Sequence, residues 1–171
     1  TLAISGNGGD ISITLGADTV IAASSSLTAD ASSVTNTAFD LFYDGSAVTT
    51  ATKSQIVTGT SGVDTITGGA GSDQITGGDG GDAITGGGGI DNLSGGAGGD
   101  TFNVATTGTG FTGLTSAETV SGGTGTDKIS VTAGVVTIAA TDLAGMTSIE
   151  EIEIKNTTET ASLTLSDAIY A

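Results

Sequence analysis

Between residues 59 and 103 one large apolar side chain recurs at every ninth position, at Ile66, Ile75, Ile84, Leu93 and Phe102, with small or polar residues filling the spaces. A period of nine fits neither an amphipathic helix nor a long strand. It does fit a stack of three-residue strands, because alternate side chains point to opposite faces and the middle one can point inward. The core of such a stack is one apolar residue wide. On either side the pattern turns into short alternations: Ile11, Ile13 and Leu15; Phe39, Leu41 and Tyr43 before an Asp44-Gly45 turn; Ile56 and Val57. Beyond the repeats come Val131, Val135, Val136, Ile138, Leu143, Ile149, Ile152, Ile154, Leu163 and Leu165. These predict further strands with one buried face. Glycine and β-branched residues disfavour long helices, leaving at most a helical turn near residues 141–144.

The residues between the apolar positions are as regular. Five nonapeptides follow one another without slippage: GTSGVDTIT (59–67), GGAGSDQIT (68–76), GGDGGDAIT (77–85), GGGGIDNLS (86–94) and GGAGGDTFN (95–103). The sixth place always supplies a carboxylate, from Asp64, Asp73, Asp82, Asp91 and Asp100. Glycines at the first, second and fourth places, among them Gly62, Gly69, Gly71, Gly78, Gly80, Gly87, Gly89, Gly96 and Gly98, are expected to supply backbone angles that other residues reach only with strain. A six-residue turn can then aim its carbonyls inward. A flexible Gly/Ser linker has similar composition but does not hold Asp and an apolar residue in register through five units. A phosphate-binding glycine loop is disfavoured too, since no Gly-Lys-Ser/Thr follows and the carboxylates would repel phosphate.

Over about 45 residues this pattern resembles the calcium-binding repeat of the RTX (repeats-in-toxin) family of secreted bacterial proteins. The resemblance implies an all-β fold, a parallel β-roll or β-solenoid in which two nonapeptides make one coil and calcium sits in the GGxGxD turns. Asp64, Asp82 and Asp100 would then form a ladder on one edge, with Asp73 and Asp91 on the other. The outward ninth positions Thr67, Thr76, Thr85, Ser94 and Asn103 would be divided between two faces.

Electrostatics supports a cation independently. Carboxylates stacked ~4.8 Å apart repel by ~1 kcal/mol in bulk water and several-fold more where water is excluded. Lys53, Lys128 and Lys155 are the chain's only basic residues, and none lies in the five repeats. A hard divalent cation taking about 6 to 8 oxygens suits carboxylates and turn carbonyls, whereas zinc and copper would call on His and Cys, which the chain lacks. Two ladders of three and two aspartates leave gaps for about three calcium ions.

The flanks are less regular. GNGGD (6–10) and LGADTV (15–20) read as degenerate coils that could bring Asp10 and Asp18 to a metal, or as ordinary Gly-Asp turns. Residues 105–121 read as an inserted loop with Phe111 against the end of the roll. GGTGTDKIS (122–130) is one more repeat, with Asp127 a further candidate ligand and Ile129 its core residue. The organisation is thus a β-rich segment at 1–58, the roll at 59–104, the loop, and a C-terminal solenoid segment at 122–171. Residues 140–154, ATDLAGMTSIEEIEI, resemble a phrase that often follows calcium repeats in bacterial surface-layer (S-layer) and giant RTX proteins. Glu150, Glu151 and Glu153 there could cluster around a metal, or form the solvated face of a strand.

Composition narrows the function. With 19 acidic residues against 3 basic ones, a net charge of −16 disfavours nucleic acid and anionic membranes as partners and favours cations. No apolar run is long enough to span a bilayer. Without His or Cys, neither a Ser-His-Asp site, nor a Cys-His site, nor a His-ligated catalytic metal can be built, so the segment is not expected to be an enzyme. A chain with no disulfide can gain extracellular stability from bound calcium instead. Lacking an initiator Met, it reads as part of a longer protein. The favoured function is a calcium-folded structural segment of a secreted bacterial cell-surface protein, self-assembling in the manner of an S-layer, with a surface glycan a possible partner. The alternatives are the secretion and folding module of an RTX enzyme or toxin, and a segment of an adhesin or ice-binding protein.

Overall fold

The computed structural model describes residues 2–3, 9–16, 26–105, 118–132, 135–138, 143–155 and 162–165, and these form an all-β, parallel solenoid. One seven-stranded sheet runs β1 (Leu2–Ala3), β3 (Leu27–Asp30), β5 (Gln55–Thr58), β7 (Gln74–Asp79), β9 (Asn92–Ala97), β11 (Thr119–Thr124) and β14 (Met146–Thr147). The other runs β2 (Ile11–Thr14), β4 (Leu41–Asp44), β6 (Thr65–Thr67), β8 (Ala83–Thr85), β10 (Thr101–Ala105), β12 (Lys128–Thr132) and β15 (Glu151–Lys155). A separate parallel pair joins β13 (Val135–Ile138) to β16 (Ser162–Leu165). Each coil therefore places one strand in each large sheet.

The ninefold period sets this register. Ile66 pairs with Ile84 and Ile84 with Phe102 in the second sheet, while Ile75 pairs with Leu93 in the first, so two nonapeptides make one coil. These residues, with Tyr43 and Ile129 in one sheet and Val57 and Val120 in the other, fill a single narrow core. Each contributes ~1.5 to 3 kcal/mol of burial. One such side chain is a thin core around which to order nine residues. The repeats need a second source of stability.

Where the register departs from eighteen residues, the coils carry extra chain. Tyr43 pairs with Ile66 across the long turn 45–54, which buries Val48, and Ala29 pairs with Val57 across the turn 31–40, which buries Val34. The tract read as a loop at 105–121 gives its ends to strands: Ala105 closes β10, and Thr119–Ser121 open β11. Strands of the first sheet are also longer than three residues in the roll, because Gly78 pairs with Gly96 and Asp79 with Ala97 beyond the apolar position. Leu143–Gly145 make a tight turn. Asp18, Val20, Phe111, and residues 141–142 and 166–171 lie outside the described residues.

Candidate metal sites along the two edges

Turns 59–64, 77–82, 95–100 and 122–127 lead from the first sheet to the second and stack on one edge, while 68–73 and 86–91 stack on the other. The chain folds this way because each turn ends in an aspartate whose side chain reaches back one coil. Asp64 Oδ1 accepts the Leu41 N–H, Asp82 that of Asp64, Asp100 that of Asp82 and Asp127 that of Asp100, at 2.6 to 2.8 Å. On the other edge Asp73 Oδ1 accepts from Gln55 N–H and Asp91 Oδ1 from Asp73 N–H, at 2.7 and 2.8 Å. The two predicted ladders are present. Asp127 extends the first directly beneath Asp100, although 27 residues separate them.

All six aspartates are at most 3% exposed. Burial is the main reason that Asp73 and Asp82 are pushed up to about 7 and Asp91 to about 6. Asp64 and Asp100 are raised for the same reason, and neighbouring carboxylates add to the effect on Asp64, Asp73, Asp82 and Asp100. The second oxygens divide the set. Thr60 N–H and Gly69 N–H donate to Asp64 Oδ2 and Asp73 Oδ2, whereas Oδ2 of Asp82, Asp91, Asp100 and Asp127 is buried with no hydrogen-bond partner. A buried, unpaired carboxylate oxygen is costly, and a bound cation is one partner that would offset the cost at these four.

The glycines show what else faces each gap. A Cβ on Gly77 would meet Asp82 Oδ2 and the Gly95 carbonyl together, and one on Gly95 would meet Asp100 Oδ2 and the Gly122 carbonyl. First-place glycines are therefore required by space: none of them has a left-handed φ. Left-handed φ belongs to the second and fourth places of the later turns, at Gly78, Gly80, Gly87, Gly89, Gly96, Gly98, Gly123 and Gly125. This corrects the expectation for Gly62, Gly69 and Gly71, which do not adopt it. The first two turns are instead shaped by the scaffold before them: Ser61 N–H donates to the Val34 carbonyl, Ala70 N–H to the Val48 carbonyl, and Thr60 Oγ1 to the Phe39 carbonyl.

Carbonyls of the second and fourth places point along the stack. Those of Gly78 and Gly80 lie against Gly96 and Gly98, as those of Thr60 and Gly62 lie against Gly78 and Gly80, and those of Gly69 and Gly71 against Gly87 and Gly89. Oxygens that face the gap between turns 77–82 and 95–100 include Asp82 Oδ2, Asp100 Oδ1 and the carbonyls of Gly78, Gly80 and Gly95. Among the described residues no three acidic side chains converge at one point. One or two carboxylates with several carbonyls is a donor set for a hard cation of high coordination number, and calcium fits it.

Other candidates stand apart. Asp10 Oδ1 accepts the Asp40 N–H at 3.3 Å and is exposed, one position out of register with the Asp64 ladder. Glu153 lies on β15 between Lys128 and Lys155, at 3.1 and 3.6 Å, and Glu151 is exposed. Thr67, Thr85 and Asn103 fall on the second sheet and Thr76 and Ser94 on the first, so the threonine rows are indeed split. Two glutamates take ladder positions: Glu118, which the sequence reading does not single out, and Glu150, expected only as part of a cluster with Glu151 and Glu153. Buried Glu118 stands in register below Asp91, and Glu150 Oε2 accepts the Asp127 N–H at 2.8 Å. Their signal was the spacing acid-x-apolar, as in Glu118-Thr119-Val120 and Glu150-Glu151-Ile152, which matches Asp91-Asn92-Leu93 without the glycines.

No helix among the described residues is long and apolar enough to cross a membrane. Comparison with curated proteins and with solved structures finds no match. The family model of the RTX calcium-binding nonapeptide repeat (4 copies) matches residues 58–93 and again 76–104, the part of the solenoid that carries the unbroken ladders. Over residues 58–104, the chain carries the calcium-binding nonapeptide repeats of the RTX family, folded as a parallel β-roll.

Proposed function

We propose that calcium occupies the gaps 64/82, 82/100 and 73/91, together with a gap 100/127, and that these ions supply the stability the narrow core lacks. The carrying observation is the buried, unpartnered Oδ2 of Asp82 and Asp100, which face the 82/100 and 100/127 gaps beside the Gly95 and Gly122 carbonyls; the gaps 64/82 and 73/91 are included because they belong to the same two ladders. On this reading the chain is a calcium-folded structural segment of a secreted bacterial cell-surface protein that assembles with copies of itself, as S-layer proteins do. Its support is the absence of His and Cys, the dominance of Thr, Ser, Ala and Gly, and a solenoid that continues through both sides of the repeats.

The test is to add calcium to the purified, chelator-treated chain while following far-UV circular dichroism and light scattering, and to image the product by electron microscopy. Strand signal followed by ordered arrays is expected. Folding without association would favour the secretion and folding module of an RTX enzyme or toxin, and full strand content in chelator would sink the calcium reading.

A further inference from the structure

The roll does not end at its last nonapeptide. Ser121 pairs with Thr147 and Lys128 with Glu151, so the six-residue turn 122–127 is faced by only three residues, Ser148, Ile149 and Glu150. Nothing in 148–150 resembles GGxGxD. Yet this short turn reproduces both halves of the gaps before it. The Ser148 carbonyl and Asp127 Oδ2 are the atoms that a Cβ on Gly122 would meet, as the Gly122 carbonyl and Asp100 Oδ2 are for Gly95. Glu150 Oε2 accepts the Asp127 N–H at 2.8 Å, as Asp127 Oδ1 accepts that of Asp100. Glu150, exposed and one methylene longer than aspartate, holds the ladder position that an aspartate holds in the turns before.

A further observation points to a ligand. Asp127 is fully buried and its Oδ2 has no partner. Ser148 is, among the described residues, the only non-glycine with positive φ, at 54°, and this conformation allows the chain to turn in so few residues with its carbonyl toward Asp127. We infer that Asp127, the Ser148 carbonyl and Glu150 form a further calcium site, one half of which comes from a turn that is not a nonapeptide. It lies outside the family match, which ends at residue 104. Its ion would tie the last coil, β14 and β15, to the repeats.

This inference rests on the calcium reading of the roll, and one experiment separates the two. Crystals of the wild-type chain grown in calcium chloride are examined by anomalous scattering. A peak between Asp127 and Ser148, besides those in the 82/100 and 100/127 gaps, is expected. Peaks in those two gaps with none at Ser148 would overturn the inference and leave the roll intact, whereas no peak anywhere would overturn both. Independently, Glu150→Gln keeps an oxygen for the Asp127 N–H but removes charge, so calorimetric titration with calcium is expected to lose one ion or to weaken one site at least tenfold. A stoichiometry and affinities equal to wild type would count against the site, and circular dichroism in calcium shows whether the variant is folded.

Discussion

Replacing Asp82 by Asn changes one atom and one charge at a residue serving two gaps, and the expected effect has opposite signs with and without calcium. The Oδ1 bond to Asp64 N–H survives in asparagine. The unpartnered Oδ2 becomes an amide group on the side of the Gly95 carbonyl, able to donate where the carboxylate could only repel. In metal-free protein the variant removes a buried charge that burial above all, with Asp64, Asp100 and Asp40 nearby, has pushed up to about 7. A rise of about three pKa units corresponds to at most on the order of 4 kcal/mol. Well above neutrality, the calcium-free variant is therefore expected to equal or exceed wild type in stability. With calcium the order reverses. An ion at a hundred times its Kd contributes about 2.7 kcal/mol, and the substitution weakens the gaps on both sides of Asp82. The assay is urea unfolding by far-UV circular dichroism, in saturating calcium and in chelator, with Asp79→Asn as control. Asp79 sits in the same turn but is exposed, so its variant is expected within about 0.5 kcal/mol of wild type. A loss for Asp82→Asn of the same size in both conditions would assign the effect to packing and refute the reasoning.

Gly98→Ala, at φ 130° with the Gly80 carbonyl where a Cβ would go, is expected to cost at least about 1 to 3 kcal/mol in calcium-bound unfolding. Gly88→Ala, whose nearest atom would be Ala70 Cα at 3.5 Å, is expected to be tolerated, and equal losses would contradict the turn geometry. Because burial holds Asp73, Asp82 and Asp91 above the ~3.9 of an unfolded aspartate, metal-free folding takes up protons. Its stability is expected to be greatest near pH 4 and to fall as pH rises through about 6 to 7, the values of these groups; a metal-free protein that gains strand signal over that rise would contradict the assignment. Tyr43→Phe deletes the donor to Gln55 Oε1 at 2.9 Å and should cost about 1 to 3 kcal/mol equally with and without calcium. On chelation, amide exchange is expected to rise at Ile84, Phe102 and Ile129 before Tyr43 and Val57; simultaneous exchange would show that metal dependence is uniform along the stack.

The roll was legible because its constraint is repeated at every coil. One apolar residue in nine fixes the inward face, and one aspartate in nine fixes the reach to the coil before, so Ile66, Ile84, Asp64 and Asp82 could be placed without the flanks. What could not be read was any position where a turn is shaped by something other than itself. Gly62, Gly69 and Gly71 look like Gly80 and Gly89 in sequence, yet the chain at Val34, Val48 and Phe39 packs on the first two turns and removes the left-handed bend. Gln55 is fully buried and accepts from the Tyr43 hydroxyl, a pairing that no spacing in the sequence marks. Glu118 and Glu150 are not preceded by the GGxG of the nonapeptide, so their sequence carries the acid-x-apolar spacing without the turn that marks a ladder position.

The two ends of the ladders explain why the glycine-rich turns cannot stand alone. A carboxylate brought into a dry stack needs donors for both oxygens. At the N-terminal end protein groups supply them, since Leu41 and Gln55 donate to Oδ1 of Asp64 and Asp73 while Thr60 and Gly69 donate to Oδ2. Those donors are held by coils with their own wider core of Ala29, Ala31, Leu41, Tyr43, Val48 and Val57. From Asp82 onward the second residue of each turn is a glycine with left-handed φ, at Gly78, Gly87, Gly96 and Gly123, and no N–H reaches the Oδ2 of the aspartate that ends the turn. Repetition that gives the roll its regular register thus also leaves one oxygen of each later turn unsatisfied. A cation is the partner that a stack of identical oxygen-lined turns can share without any turn differing from its neighbour.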